Sequence, residues 1–269
     1  MDFAPKPSAA FSANFEAIID RAMEAKQQAE TPRNYLGASR IGEDCLRKLG
    51  YEYAKAPKDE GREFKGKTLR VFKRGHNGEA DMIDWMRLAG FTLVTEKADG
   101  GQIGFAIAWD EERGCYRIAG NCDGVITAAP YDAGLVCPSL WENKVLSDKS
   151  WNDTVKKGVR ASKPVYFAQM QLYMAYLDLT ANPGLFTALN GNTGEIYAEK
   201  VPFDREAAQR ESDKGAKVVM ASSPEELPRI AREPTDFRCK FCDYQNRCWA
   251  QALQNITRYQ EPKAWSFGK

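Results

Sequence analysis

The sequence predicts an α/β fold, and three observations carry that prediction. Apolar residues recur at helical spacing near the start, as in Phe15, Ile18, Ile19 and Met23. Short apolar runs separated by turn residues then fill the span 91–145. A segment apolar almost all round follows at Val165–Leu177, which reads as a buried helix. The chain of 269 residues is long enough for a sizeable core, in one large domain or two small ones.

Residues 1–12 hold Pro, Ser and Ala without periodicity and read as a loose lead-in. Ala13–Ala29 is an amphipathic helix, broken by Thr31-Pro32-Arg33-Asn34. Ser39 is placed to cap a following helix that carries Cys45, with Arg40, Arg47 and Lys48 around it. Leu69–Ala89 is the next helix, ended by Gly90. It contains Gly75, His76, Gly78 and Glu79, and two glycines in a helix need a reason such as a close backbone approach or a site.

Phe91–Glu96, Gly101–Trp109, Cys115–Ala119, Asp123–Ala128 and Leu140–Val145 read as five strands. Asp110–Gly114 is a polar turn, and the turn-rich Ala129–Gly134 makes the last two strands hairpin partners. Lys149, Lys156, Lys157, Arg160 and Lys163 form the densest basic cluster in the middle of the chain, either a solvated helix face or an anion-binding surface. Gln169 and Gln171 lie in the apolar helix after Pro164 and need hydrogen-bond partners there. Leu185–Leu189 and Glu195–Val201 form a further hairpin, Asp204 caps a helix to about Met220, and 224–232 is a short polar helix or loop.

Composition narrows the function classes. With 43% apolar and 28% charged residues, the chain has the balance of a soluble globular protein. No apolar run approaches a membrane span, and the N-terminus lacks the order of a signal peptide, so the expected compartment is cytoplasmic. The net charge of +1 gives no global basic field, so a nucleic acid would have to be held by a local patch. Seven cysteines make an odd set for a secreted disulfide scaffold, and their spacing suits metal ligation better.

The chemistry concentrates at Leu140-Trp141-Glu142-Asn143-Lys144-Val145, read with Asp123 on the preceding run. Glu142 and Lys144 are two apart, so on a strand they share a face. Carboxylates suit a hard divalent cation, and a lysine beside them can position or deprotonate a water; a solvated strand face would carry the same residues. A second signal lies near the C-terminus, where Cys239, Cys242 and Cys248 give C-x2-C-x5-C. Clustered thiolates at that spacing bind zinc or an iron–sulfur cluster and need a fourth ligand. Cys115, Cys122 and Cys137 read as ordinary core thiols.

An Asp on one strand and a Glu-x-Lys on the next resembles the PD-(D/E)XK nucleases, with Asp123, Glu142 and Lys144 at the signature positions. Asn121-Cys122 departs from the Pro-like element before the Asp. Gly75-x-x-x-Glu79 is similar to the G-x-x-x-E helix of lambda-type phage exonucleases and RecB-like nucleases, which implies Glu79 as a further metal ligand. His76 falls off that family's histidine position and reads as a neighbour of the site. The pattern Tyr166-x-x-Gln169-x-Gln171-Leu172-Tyr173-Met174 resembles the glutamine helix of the same enzymes and implies Gln169 at the active site. Cys45 with Cys239, Cys242 and Cys248 resembles the iron–sulfur nucleases of the AddB and CRISPR-associated RecB-like types.

The resemblance implies a restriction-endonuclease-like mixed β-sheet flanked by helices, with its termini joined at a cysteine-ligated cluster. Its domain reading is a lead-in and helix over 1–30, a nuclease domain over 31–252 and a tail over 253–269. The implied activity is metal-dependent DNA exonucleolysis with Mg²⁺ or Mn²⁺, leaving a 5′-phosphate, with a 4Fe–4S cluster or zinc on the cysteines. Lys156, Lys157 and Arg160 are expected to contact DNA phosphates. No G-x-x-x-x-G-K-[ST] loop occurs, so unwinding would fall to a partner: a helicase, a recombinase or a CRISPR adaptation protein. The rival reading is a non-catalytic DNA-binding or assembly module with a structural metal.

Overall fold

A computed structural model describes residues 9–250. The first eight residues of the expected lead-in and the expected tail over 253–269 lie outside them. In chain order the elements are α1 (Ala9–Ala29), β1 (Leu36–Gly37), α2 (Ala38–Ile41), α3 (Leu46–Tyr53), α4 (Gly66–Leu88), β2 (Thr92–Val94), β3 (Gly104–Asp110), β4 (Cys115–Asn121), β5 (Gly124–Ala128), β6 (Ser139–Leu146), α5 (Asp148–Ser162), α6 (Pro164–Tyr176), β7 (Gly184–Asn190), β8 (Ile196–Val201), α7 (Arg205–Met220) and α8 (Phe237–Lys240).

The chain packs as two units. The first joins the described residues up to Gly42 with Phe64–Asp213; the second joins Glu43–Glu63 with the described residues from Lys214 onward. In the first unit five strands form one sheet in the order β2-β5-β6-β7-β8, and three form another in the order β1-β4-β3. Both sheets are mixed. β5 and β6 are antiparallel, pairing Gly124 with Trp141, whereas β6 and β7 run parallel. β1 is parallel to β4.

β6 lies at the centre of its sheet, and Leu140, Trp141, Glu142 and Asn143 are all buried. Strand alternation splits its side chains. Trp141 joins Met82 and Met86 of α4 in one core cluster. Gly78 of α4 packs so close to the same strand that a Cβ there would lie 2.5 Å from Val145 Cγ2. A close approach is therefore the reason for Gly78, whereas a Cβ on Gly75 would meet nothing within 4 Å. α6 covers the opposite face of β6, that of Glu142 and Lys144, as the contacts of Tyr166 and Gln169 below show. Burying both faces of the central strand fixes its register, because a one-residue slip would carry Glu142 into the α4 core.

Two local expectations change. Ser39 falls inside α2, and Cys45 rather than Ser39 occupies the N-cap of α3. The chain breaks between these helices at Gly42, where a Cβ would lie 2.7 Å from the Val165 backbone of α6. Asp123 sits in the turn between β4 and β5 rather than on a strand. His76 is exposed on α4.

In the second unit α3 packs on the turn at Pro224–Glu226. Arg47 Nε donates to the Leu227 carbonyl at 2.7 Å, and Tyr51 donates to Glu225 at 3.0 Å. Gly50 is enclosed there, since a Cβ would reach 2.6 Å from Leu227 Cδ1. Tyr51 also stacks on Tyr244, with ring centroids 5.2 Å apart. No described helix is long and apolar enough to cross a membrane.

Candidate active site

Four of the expected site residues meet at the start of β5 and the middle of β6. The β4–β5 turn brings Asp123 over β6, where its Oδ2 accepts a hydrogen bond from the Asn143 backbone N–H at 2.7 Å. Lys144 donates to Glu142 Oε1 and, at 3.0 Å, to the Asn143 carbonyl. Its Nζ also lies 3.8 Å from Asp123 Oδ2, so one ammonium serves both carboxylates. Gln169 donates to the same Glu142 Oε1 at 2.7 Å. The two donors on Oε1 leave Glu142 Oε2 buried without a hydrogen-bond partner.

That orphaned oxygen is the most informative atom of the site. A buried carboxylate oxygen without a partner loses several kcal/mol of solvation unless something else binds it. Burial drives the Glu142 carboxyl well above the usual range; the Asp123 charge adds to this and the Lys144 charge opposes it. Burial alone would lower Lys144, but the carboxylates of Glu142 and Asp123 outweigh it and hold the amine above its ordinary value as a cation. Glu79, partly buried on α4, is raised to about 7, chiefly by burial and then by the Asp123 charge. Burial and the neighbouring negative charge thus oppose ionisation of Glu79 and Glu142, which a bound cation would favour.

The donor set fits a hard divalent cation: Glu142 supplies an unused buried oxygen, and Asp123 and Glu79 supply carboxylates within its electrostatic reach. Among the described residues, however, no three His, Cys, Asp or Glu side chains already stand at ligating positions. A cation would have to draw them in.

Two residues without an expected role belong to the same cluster. Tyr173 accepts a hydrogen bond from Gln169 at 3.2 Å, and its own pKa is driven up by burial and by the Glu142 charge. The Tyr166 ring lies under Lys144, 5.4 Å from Nζ to centroid. Both were open to inference, because positions 166, 169 and 173 fall on one face of α6. The second glutamine, Gln171, faces other partners, donating to the Pro202 carbonyl at 3.3 Å and accepting from the Asp204 N–H at 2.7 Å.

The expected phosphate contacts divide. Lys157 is paired with Asp153 at 2.7 Å, and Arg160 with Asp204 at 2.9 Å and with the Phe167 ring at 4.9 Å. Lys156 forms no ion pair among the described residues.

Within the second unit, Cys45, Cys239, Cys242 and Cys248 line one cavity of about 80 Å³. Cys45 arrives at the N-cap of α3 and Cys239 on α8, whose N-cap Asp236 accepts from the Arg238 N–H. Cys242 donates its N–H to the Cys239 carbonyl at 2.9 Å, folding the C-x2-C turn. Burial raises the thiol of Cys239 and pushes that of Cys242 up to about 11, so each is a neutral thiol unless a cationic centre ionises it. All seven cysteines are free. Thiols are the donor type a soft metal takes, but among the described residues no three of these cysteines stand at ligating positions, and Cys239 packs with Ala231 and Trp249 as a small apolar core. Cys115, Cys122 and Cys137 belong to the first unit. Cys122 is pushed up to about 12 by burial and by the charges of Glu142 and Asp123.

No family model matches the sequence, and no curated protein matches it. Among solved structures the chain is similar to SSO0001, with 13% identity over 89% of this chain and 98% of that one, at a TM-score of 0.49. It is also similar to the alkaline exonuclease LHK-Exo from Laribacter hongkongensis, with 13% identity over 87% and 99% of the two chains, at a TM-score of 0.44. The complex of LHK-Exo with dAMP gives 12% identity, 89% and 99% coverage and a TM-score of 0.45. Since all three TM-scores lie below 0.5, the chemistry rests on the residues of this chain.

Proposed function

We propose that the chain is a divalent-metal-dependent DNA exonuclease of the PD-(D/E)XK type. The observation that carries this reading is the buried, unpartnered Glu142 Oε2 beside Asp123, Glu79 and a lysine that bridges two carboxylates. A divalent cation, when bound, supplies Lewis acidity at the scissile phosphate and lowers the pKa of a water. Glu79, Asp123 and Glu142 would hold it. Gln169 fixes the Glu142 carboxylate, and Tyr173 in turn fixes Gln169. Lys144, held as a cation, orients the attacking water through its N–H donors. Water adds to phosphorus, the P–O3′ bond breaks, and a 5′-phosphate and a 3′-hydroxyl result.

Digestion of end-labelled single- and double-stranded DNA with Mg²⁺, Mn²⁺ or EDTA tests this directly. Stepwise loss of nucleotides from an end in either metal, abolished by EDTA, is expected. Binding without digestion would make the chain a non-catalytic DNA-binding module instead. Lys144→Met should lower kcat by about a hundredfold at saturating Mg²⁺, on the scale of lost water activation. An unchanged rate at saturating metal would assign Lys144 to metal binding alone.

The cysteine set supports a second proposal: a 4Fe–4S cluster held by Cys45, Cys239, Cys242 and Cys248, with zinc as the alternative. Cross-linking residues so far apart in sequence restrains a long loop, a stabilisation of about 5 kcal/mol if cross-link entropy carries over. Cys45→Ser should therefore lower metal content and thermal stability together, whereas Cys115→Ser should change neither. Anaerobic absorbance and metal analysis separate iron from zinc, and full metal content in Cys45→Ser would remove this residue from the ligand set. A helicase, recombinase or CRISPR adaptation partner remains part of the proposal as the source of unwinding.

A further inference from the structure

Three residues beyond Lys144 the chain leaves β6 at Ser147 and enters α5, and the start of this helix borders an open groove of about 580 Å³. Lys149, Lys156 and Lys163 line it together with Ser147, Ser150 and Asp153. Lys149 and Lys156 are seven apart, close to two helical turns, and so share one face of α5. The helix breaks at Gly158, where φ is 74°, and Lys163 reaches the groove from beyond the break. Asp153 is the single carboxylate of the lining; Lys157 takes it at 2.7 Å and Lys163 lies 3.9 Å from it. Lys149 and Lys156 have no ion-pair partner among the described residues.

Three ammonium groups over one already engaged carboxylate make a surface for dispersed negative charge. The helical rise sets Lys149 and Lys156 about 10 Å apart, wider than a single phosphate. An extended strand places Ser147 about 10 Å along the chain from Lys144, so the groove opens next to the acid cluster. A polymer of phosphates starting at that cluster meets both requirements, and a lone anion meets neither.

We propose that this groove binds the sugar-phosphate backbone of the DNA strand adjoining the scissile phosphate, through Lys149, Lys156 and Lys163 and without reading bases. The proposal deepens the nuclease reading and rests on it for the position of the scissile phosphate. It also replaces the contiguous basic run by a set spaced along the groove.

The test is the salt dependence of binding of a fluorescent single-stranded 20-mer to the full chain in EDTA, where no cleavage occurs. Neutralising three phosphate contacts should reduce the magnitude of the log Kd against log salt slope by about 2. Lys149→Gln/Lys156→Gln/Lys163→Gln is expected to show that reduction for several base compositions alike, and the triple Arg variant should restore the slope. Should the triple Gln variant not fold, Lys149→Gln/Lys156→Gln is expected to show about two thirds of the change. A folded Gln variant with the parent slope, or a folded Arg variant that loses it, overturns the groove. Hydrolysis of bis(p-nitrophenyl) phosphate by the unsubstituted chain with Mn²⁺ reports separately on catalysis. Reduced slopes without hydrolysis of either substrate would sink the nuclease reading and leave the groove standing.

Discussion

Asp123→Asn is expected to slow phosphodiester hydrolysis by at least about a thousandfold, or about 4 kcal/mol of transition-state stabilisation, while the fold survives. Asparagine keeps an oxygen that can accept from the Asn143 N–H, the contact that docks the β4–β5 turn on β6. What disappears is the negative charge that, with Glu142, holds Lys144 as a cation and that a divalent metal needs. Glu142→Gln should behave alike, since the amide still fits between Lys144 and Gln169 only by giving up a charged acceptor. Single-turnover digestion at several Mg²⁺ concentrations, with circular dichroism as the check on folding, measures this. Near-parental turnover in either variant would remove the acid cluster from catalysis.

Glu79→Gln is expected to raise the stability of the metal-free protein. The Glu79 carboxyl is held at about 7 in the folded chain against an ordinary value of 4.5, so the folded state binds more protons between those limits. Its contribution is fully present below pH 4.5 and is lost as the pH rises through 7. Removing the charge should therefore stabilise the metal-free protein at pH 8 by about 1–2 kcal/mol, since solvent screens part of the field on this partly exposed carboxyl. For a chain of this size that is a rise in Tm of roughly 2–6 °C. At pH 4.5 the two proteins should melt together. Mg²⁺ should raise the Tm of the parent at pH 8 and raise that of Glu79→Gln less. Melting curves in EDTA from pH 4.5 to 8 decide it; parallel curves across the range would mean that neither burial nor the Asp123 charge raises the Glu79 carboxyl in the folded chain.

Much of the first unit was legible because its signals are local. The β5–β6 hairpin follows from turn residues between two apolar runs, and α6 follows from a helix too apolar to be anything but buried. Glu142 and Lys144 could be singled out because a charged pair inside an apolar strand needs partners, whereas Asp123 and the choice of Gln169 over Gln171 came from the family resemblance; the structure makes the four one another's partners. What could not be read depended on distant contacts. β1 is two residues long and shows no alternation, so only its pairing with Ile118 and Ala119 defines it. Ser39 looked like a cap, but the helix boundary is set by Gly42 lying against α6, a contact no local pattern encodes. The roles of Tyr166 and Tyr173 needed the facing strand to become visible. The choice among the central cations turned on which of them line one groove, and on Asp153 and Asp204 holding Lys157 and Arg160 at 2.7 and 2.9 Å.

The interleaving of the two units bears on how the chain is made. Glu43–Glu63 leaves the ribosome early, but its packing partners begin at Lys214, after the whole of Phe64–Asp213 has been synthesised. At ordinary elongation rates that delay is on the order of ten seconds. Through that interval Leu49 and Tyr51, which end up almost without solvent contact, have nothing of their own unit to pack on. The nascent chain thus passes through a stage in which its first unit can be complete while an early apolar segment of the second waits. Any messenger truncated within α7 would arrest it there permanently, a natural substrate for chaperones and quality-control proteases.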